Sequence, residues 1–312
     1  MKAVTGCYKT TSTAAMEIEA GLQPAWLRLQ TKVLQAVTRM QTLSAKHPIH
    51  EWIASALRTR TAIYPHQSIL ENILRQFPQT TAKIETIEPY IRPPWWIPKI
   101  KVIINATKDE AKERHRLMRE KAEPHTEIIY TDGSGIKGNI GAAIYSPTLN
   151  NVTHQHLGKD TQYNVYISEI TALQMAAQEL QGNHEISICH IYTDSQAAIK
   201  AIDNPRRQSG QQVIKEFLDC VDRVIEIHPS LQITIVWIPG HSEIEENERV
   251  DAEAKRAALN PEISRPFLHK PMKSARIRTI KDLAAKTWNK KWKENTKTAR
   301  ALRRITERRG VV

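Results

Sequence analysis

Between Glu127 and Leu259 short apolar runs alternate with longer stretches of helical spacing, and the two periods can be separated. Ile128, Ile129 and Tyr130 predict a β-strand ending at Asp132, with Gly133-Ser134-Gly135 as the turn that stops it. Ile140–Ser146 and Val152–Gly158 predict two strands folding back on the first as an antiparallel meander. Tyr163–Leu180 carries Val165, Ile170, Leu173, Met175, Ala177 and Leu180 at helical spacing, followed by a strand over Ile186–Tyr192 and a short helix over Ser195–Ile202. Gln211–Ile227 repeats Val213, Phe217, Val221 and Val224 about a turn apart and predicts another helix. Leu231–Trp237 predicts a last strand, broken at Pro239-Gly240-His241, and Asn247–Leu259 a closing helix. The order β-β-β-α-β-α-α-β-α predicts an α/β fold with a mixed five-stranded sheet flanked by helices.

Outside this region the pattern is weaker. Pro24 reads as the first-turn residue of an amphipathic helix with apolar positions Leu29, Val33, Val37, Met40 and Leu43. Phe77–Lys101 holds Pro78, Pro89, Pro93, Pro94 and Pro98 around Trp95 and Trp96, an extended, helix-hostile tract that reads as a linker. Its tryptophans suit packing against a domain better than stacking on bases. Ala106–Glu123 is charged with little apolar periodicity, as in a solvated helix. Lys270–Arg309 strings basic residues around Trp288 and Trp292, four apart and so on one helical face.

Composition is that of a globular protein: 312 residues, 40% hydrophobic and 25% charged. No apolar run approaches the roughly 20 residues of a bilayer helix, and Met1–Gly21 lacks the apolar centre of a secretory signal, so no membrane role and an intracellular location, nucleus or cytoplasm, are expected. Cys7, Cys189 and Cys220 fit neither a disulfide framework nor a zinc site. The net charge of +12 is unevenly distributed: +8 over residues 1–126, −8 over 127–259 and +12 over 260–312. An acidic module between basic flanks repels a polyanion unless cations bridge its carboxylates and the flanks hold the phosphates.

Four carboxylates stand out. Ile191-Tyr192-Thr193-Asp194-Ser195 repeats the design of Ile129-Tyr130-Thr131-Asp132-Gly133, so two neighbouring strands could present Asp132 and Asp194 side by side. Glu169, in Ser-Glu-Ile-Thr-Ala-Leu-Gln, and Asp251, in Asn-Glu-Arg-Val-Asp-Ala-Glu-Ala-Lys, would join them from helices. Hard oxygen donors in that number suit divalent cations. A turn-capping aspartate before glycine is the plainer account of Asp132 alone.

The Tyr-Thr-Asp-Gly-Ser opening with Gly-Ala-Ala behind it, Glu169 with Ala172-Leu173, Tyr192-Thr-Asp-Ser-Gln-Ala-Ala, and Trp237-Ile-Pro-Gly-His-Ser with Asn247 and Asp251 together resemble a type 1 ribonuclease H domain, of the kind attached behind the polymerase in non-LTR retrotransposon reverse transcriptases. The resemblance implies an endonuclease cutting the RNA strand of RNA/DNA hybrids with two Mg²⁺ ions, Mn²⁺ being an alternative. It implies that Asp132 bridges both ions, with Glu169 and Asp194 completing one and Asp251 the other. Glu169 would also lie near a ribose 2′-hydroxyl. His241, on a loop, would shuttle a proton or help release product, and Gly133, Ser134, Ser195 and Asn247 would contact substrate. The chain departs from the family's His-Ser-Gly-Ile-x-Gly-Asn by Glu243 and Glu246, which with Glu245 and Glu248 crowd the loop with charge.

Between the expected second and third helices, Pro205-Arg206-Arg207 leaves no room for the basic substrate-gripping helix that some members insert, so the basic flanks are expected to take that role. Val4–Leu22 resembles the stretch joining polymerase to nuclease in the same polyproteins, and with no adjacent Asp-Asp pair the chain should not polymerise. The expected organisation is a connection-like helical region over 1–76, a Pro/Trp linker and charged helix over 77–126, the nuclease over 127–259 and a basic extension over 260–312. The chain reads as the end of a longer polyprotein, with a reverse transcriptase portion as partner, or as a decayed copy. The competing function is an inactive ribonuclease H fold that only binds nucleic acid.

Overall fold

A computed structural model of the chain describes residues 6, 8, 10, 11, 13–58, 83–182 and 185–294. The chain divides into two compact units, one of residues 1–41, 45–82 and 276–312, the other of 42–44 and 83–275. In the first unit lie α1 (Thr13–Glu19), α2 (Ala25–Gln41) and α3 (Ile49–Arg58). Val37 is buried along α2 with Val33 and Met40 packed against it, as expected, and Leu27 and Leu34 are buried too, whereas Leu29 is exposed and Leu43 falls past the helix end.

The second unit is built on a six-stranded sheet. Its strands are β1 (Lys101–Ile103), β2 (Thr126–Ile136), β3 (Asn139–Ser146), β4 (Asn151–Lys159), β5 (Ile188–Thr193) and β6 (Gln232–Trp237), in the order β1-β6-β5-β2-β3-β4. The four strands from β1 to β2 run parallel, and β2, β3 and β4 form the antiparallel meander. The expectation of five strands is corrected by β1, which starts at Lys101, the last residue of the tract read as linker. Three residues are too few to show a period, but their parallel register on β6, Lys101 opposite Thr234, extends the sheet by one edge.

The helices are α4 (Lys108–Glu120), α5 (Val165–Glu179), α6 (Gln196–Asp203), α7 (Gln211–Ile227), α8 (Glu245–Leu259) and α9 (Lys273–Glu294), the last continuing into the first unit. Successive residues of a strand face opposite sides, and both sides of this sheet are covered. Ile129, Ile191 and Ile235 pack with Leu173 of α5, Ile199 of α6 and Phe217 of α7. Ile128, Tyr130, Tyr192 and Val236 lie in the opposite layer with Val250 and Ala254 of α8 and Met118 of α4. Gly141 lets α8 seat directly on β3, since a Cβ there would collide with the backbone of Ala254 and Ala258.

The Pro-rich tract is docked rather than loose. Arg92 pairs with Asp219 at 2.8 Å and Asp222 at 3.1 Å on α7, Lys99 reaches Asp222 at 3.2 Å, and Gln211 exchanges hydrogen bonds with the backbone of Glu88. The Glu85 carboxylate accepts from the Gly210 and Lys273 backbone N–H groups at 2.7 Å each and from the Ser209 hydroxyl.

Candidate active site

The sheet's register positions the first two carboxylates. β2 and β5 pair in parallel as far as Thr131 opposite Thr193, so the next residues on the two strands are Asp132 and Asp194. β2 does not end at Asp132, as the Gly-Ser-Gly pattern suggested; it continues to Ile136 on β3 alone, with Asp132 opposite Ala143. Asp132 therefore stands where the sheet divides. The glycine that looked like a strand breaker meets a packing need: a Cβ on Gly133 would sit 2.5 Å from the Glu169 backbone nitrogen and from Ser168 Oγ. Its absence brings α5 down onto β2 and Glu169 alongside Asp132.

α5 starts at Asn164, whose side chain accepts from the Ile167 N–H at 3.1 Å, and Glu169 points inward, 6% exposed. Asp194 is fixed from behind, its backbone carbonyl accepting from Trp237 Nε1 at 3.0 Å. Ser195 then caps α6, its hydroxyl accepting from the Ala198 N–H at 3.3 Å. Gly240 lies against the Asp194 carboxylate, where a Cβ would collide with Oδ2.

Asp132, Glu169 and Asp194 each bring a carboxylate oxygen within 4.8 Å of the others. Asp251, with His241 and Glu248, forms a neighbouring group of the same compactness. Burial first, then the charges of Asp194 and Asp251, push Asp132 up to about 7. Burial and then Asp132 raise Glu169 well above the usual carboxylate range, and burial with Asp251 raises Asp194, against which His241 acts. Asp251 is half-buried and shared with Lys255 at 2.6 Å, one turn along α8.

Two buried oxygens, Asp132 Oδ2 and Glu169 Oε2, have no hydrogen-bond partner among the described residues. Buried acceptors without donors cost free energy unless a cation or water meets them. An all-oxygen donor set of crowded carboxylates fits a hard divalent cation.

His241 is exposed on the loop, and it and Glu243 hold left-handed backbone, φ 51° and 63°. Glu243 thus occupies, at a steric cost, a conformation that suits the glycine of the resembled motif. Glu246 is accommodated differently, pairing with Arg119 of α4 at 2.8 Å. Ser134 is buried on β2, and Asn247 is buried in the first turn of α8 with Oδ1 unpartnered. Glu248 was not singled out as a site residue; its place three residues before Asp251 on one helix was the available signal. Gly240 and Lys255 were also passed over. Glycine in a Pro-Gly turn reads as a breaker, and a lysine four residues after an aspartate reads as an ordinary surface pair.

A mixed sheet converging buried carboxylates at the end of its central parallel strands defines an α/β protein equipped to hold hard cations. A family model described as RNase H matches residues 124–259. The ribonuclease H of Salmonella arizonae is 30% identical over 142 residues, 43% of this chain and 89% of the relative, and that of Syntrophus aciditrophicus 28% over 143 residues, 42% and 79%. A solved LC11-RNase H1 in complex with an RNA/DNA hybrid overlaps 43% of this chain and 96% of its own at 19% identity, with a TM-score of 0.34. The chain belongs to the ribonuclease H family.

Proposed function

We propose that the chain hydrolyses the RNA strand of RNA/DNA hybrids, with Asp132, Glu169, Asp194 and Asp251 holding two divalent cations, Mg²⁺ first and Mn²⁺ as the substitute. The observation that carries this reading is the pair of buried, partnerless oxygens on Asp132 and Glu169 inside a cluster of three mutually repelling carboxylates. When bound, such cations ease deprotonation of the attacking water and relieve charge on the phosphorus and the leaving oxygen.

The chain's own residues orient and exclude. The register of β2 and β5 fixes Asp132 and Asp194, α5 fixes Glu169, and the covered sheet keeps Asp132 and Glu169 out of bulk water while Asp194 is only half-buried. Water adds to phosphorus and the bond to the 3′ oxygen breaks, leaving a 5′-phosphate and a 3′-hydroxyl. The water gives up one proton and the departing oxygen gains one. In this reading His241, exposed and beside Asp251 and Glu248, carries that proton or helps product leave. On the same reading Gly133, Ser134, Ser195 and Asn247 contact the substrate.

The test is cleavage of labelled hybrid, DNA duplex and RNA duplex, each with Mg²⁺ and with EDTA. Selective loss of the RNA strand in Mg²⁺ supports the reading. A protein that binds hybrid but stays inert in Mg²⁺ and Mn²⁺ would instead be a nucleic-acid-binding remnant, for which the charge crowding at Glu243 and Glu246 speaks.

Two further outcomes are expected. His241→Ala slows cleavage about 10²–10⁴-fold, the scale of a lost proton-transfer group, and leaves metal affinity unchanged by calorimetry, because imidazole is a poor Mg²⁺ ligand. Loss of metal binding in that variant would overturn the role. The basic extension is expected to raise hybrid affinity without setting sequence preference. Met272 and Ala275 belong to the nuclease core, so the extension is tested by removing residues 295–312, which lie outside the described residues and hold six Lys and Arg. Affinity should fall and its salt dependence flatten; an unchanged salt slope would assign binding elsewhere.

The retrotransposon setting is part of the same proposal. It is supported by the motif spacing and by Val4–Leu22, of which residues 4, 5, 7, 9 and 12 lie outside the described residues, and it makes a reverse transcriptase portion the natural partner. Free Cys189 and Cys220, and the lack among the described residues of any helix long and apolar enough to cross a membrane, are consistent with work in the nucleus or cytoplasm.

A further inference from the structure

The tract before α4 presents an arrangement that the nuclease site does not use. Tyr90, Trp95 and Ile97 are 78%, 80% and 79% exposed, on a segment that is nevertheless held at several points. Arg92, only 14% exposed, is anchored to Asp219 and Asp222 and lies 5.7 Å from the ring of Trp96. Trp96 packs against the core, so the two adjacent tryptophans have divided their roles, one inward and one outward. Prolines at 89, 93, 94 and 98 stiffen the backbone between the anchors. Large apolar side chains held outward on a pre-ordered backbone lose little entropy when something stacks on them.

Opposite this tract lies the α6–α7 connection. Tyr90, Pro93, Pro94 and Trp96 form one wall of a groove of about 760 Å³, and Arg206 and Arg207 the other. Both arginines are exposed and form no ion pair among the described residues; Asp203 at the rim is outnumbered. A groove of that volume falls within the range that takes a drug-sized ligand, and so admits a nucleotide. Its direction is also informative. α6 begins directly after Asp194 and Ser195 and ends at Asp203, so the groove lies one eight-residue helix, about 12 Å, from the carboxylates.

We infer that this groove binds an unpaired nucleic-acid strand continuing from the hybrid, with Tyr90 stacking on a base and Arg206 and Arg207 on its phosphates. An exposed aromatic beside unpaired arginines is the combination that holds single strands without reading their sequence. An apolar protein partner would use the aromatics but gains nothing from two uncompensated arginines, whereas a phosphodiester strand uses both. The inference rests on the hybrid nuclease reading for what occupies the carboxylate site, but the two can fail separately.

The experiment uses the full chain in EDTA, so that nothing is cut, and compares by fluorescence anisotropy a blunt hybrid with the same hybrid carrying an overhang of about ten nucleotides on either strand. Wild type should bind the overhang form about tenfold tighter. Tyr90→Ala and the double variant Arg206→Ala/Arg207→Ala should each lose most of that gain while keeping blunt-hybrid affinity, and the double variant alone should lower the salt slope by about 1.4, as expected for two single-strand phosphates. Both variants alter exposed positions, and an unchanged melting temperature confirms that they fold. An overhang that adds nothing in wild type, or variants that weaken blunt and overhang forms equally, would overturn the groove assignment. Cleavage of blunt hybrid by wild type in Mg²⁺ is read in parallel. If it is absent while the overhang gain is present, the nuclease reading falls and the groove stands.

Discussion

Asp132→Asn should abolish cleavage of hybrid, lowering the single-turnover rate by at least about 10³-fold, while hybrid affinity stays within about threefold. The substitution keeps the shape of a side chain enclosed by β3, α5 and Asp194, and removes the negative charge from the carboxylate on which both Asp194 and Asp251 act. Asp132 is one of the three converging acids, and after burial the charges of Asp194 and then Asp251 raise it most, so it also feels the neighbouring Asp251 group. Glu169, Asp194 and Asp251 keep their own oxygens but lose the carboxylate proposed to serve both cations. Binding survives because the surfaces expected to hold phosphates lie on other elements. Equal cleavage by wild type and Asp132→Asn would end the two-cation assignment; loss of binding along with cleavage would show that Asp132 supports the fold or the substrate surface instead.

The second expectation concerns stability without metal. Burial and mutual repulsion lift Asp132 to about 7 and raise Glu169 and Asp194 in the same direction, above the carboxylate value of about 4 expected for the unfolded chain. Between those values the folded state binds more protons than the unfolded state, so this contribution is fully present below about pH 4 and is lost as pH rises through about 7. In EDTA the melting temperature should therefore fall between pH 5 and pH 8. His115 and His190 oppose the trend, because burial lowers both and favours the folded state as the unfolded histidines lose their protons near pH 6.5. Asp132→Asn shares those histidines, so the difference between the two proteins isolates the carboxylates. It should grow to on the order of 2 kcal/mol in favour of the variant by pH 8, roughly 4–8 °C. Mg²⁺ at pH 8 should raise wild type and reverse the order. A variant no more stable than wild type in EDTA at pH 8 would show that the acids do not repel as the structure indicates.

Much of this was legible in the chain, for identifiable reasons. Gln211–Ile227 has the helix bounds expected, because Val213, Phe217, Val221 and Val224 form one continuous apolar stripe between Gly210 and His228. The matched strand-then-aspartate pattern pointed to two adjacent carboxylates because parallel pairing places equivalent residues side by side, as Thr131 and Thr193 are. α4 was harder. Its inward residues include Ala111, His115 and Met118, one of them a histidine whose ring acts as packing material: it lies edge-on to Tyr192 at 4.8 Å and bonds the Tyr130 hydroxyl at 2.7 Å. A stripe with a histidine in it does not score as apolar, although Thr107 and Glu110 had already written its capping box. Nor could the pattern show that Glu246 would find Arg119, a contact set by how α4 crosses the sheet.

That crossing matters for anyone isolating the nuclease. The residues matched to the family begin at 124, after β1 and α4, yet β1 closes one side of the sheet and α4 roofs Tyr130 and Tyr192. A protein trimmed to 124–259 would turn β6 into a bare edge strand, with the hydrogen-bonding groups of Ile233 to Val236 open to the next copy. It would also uncover an aromatic face designed to be dry. Such a fragment should self-associate through strand addition, and its behaviour would say little about the parent chain.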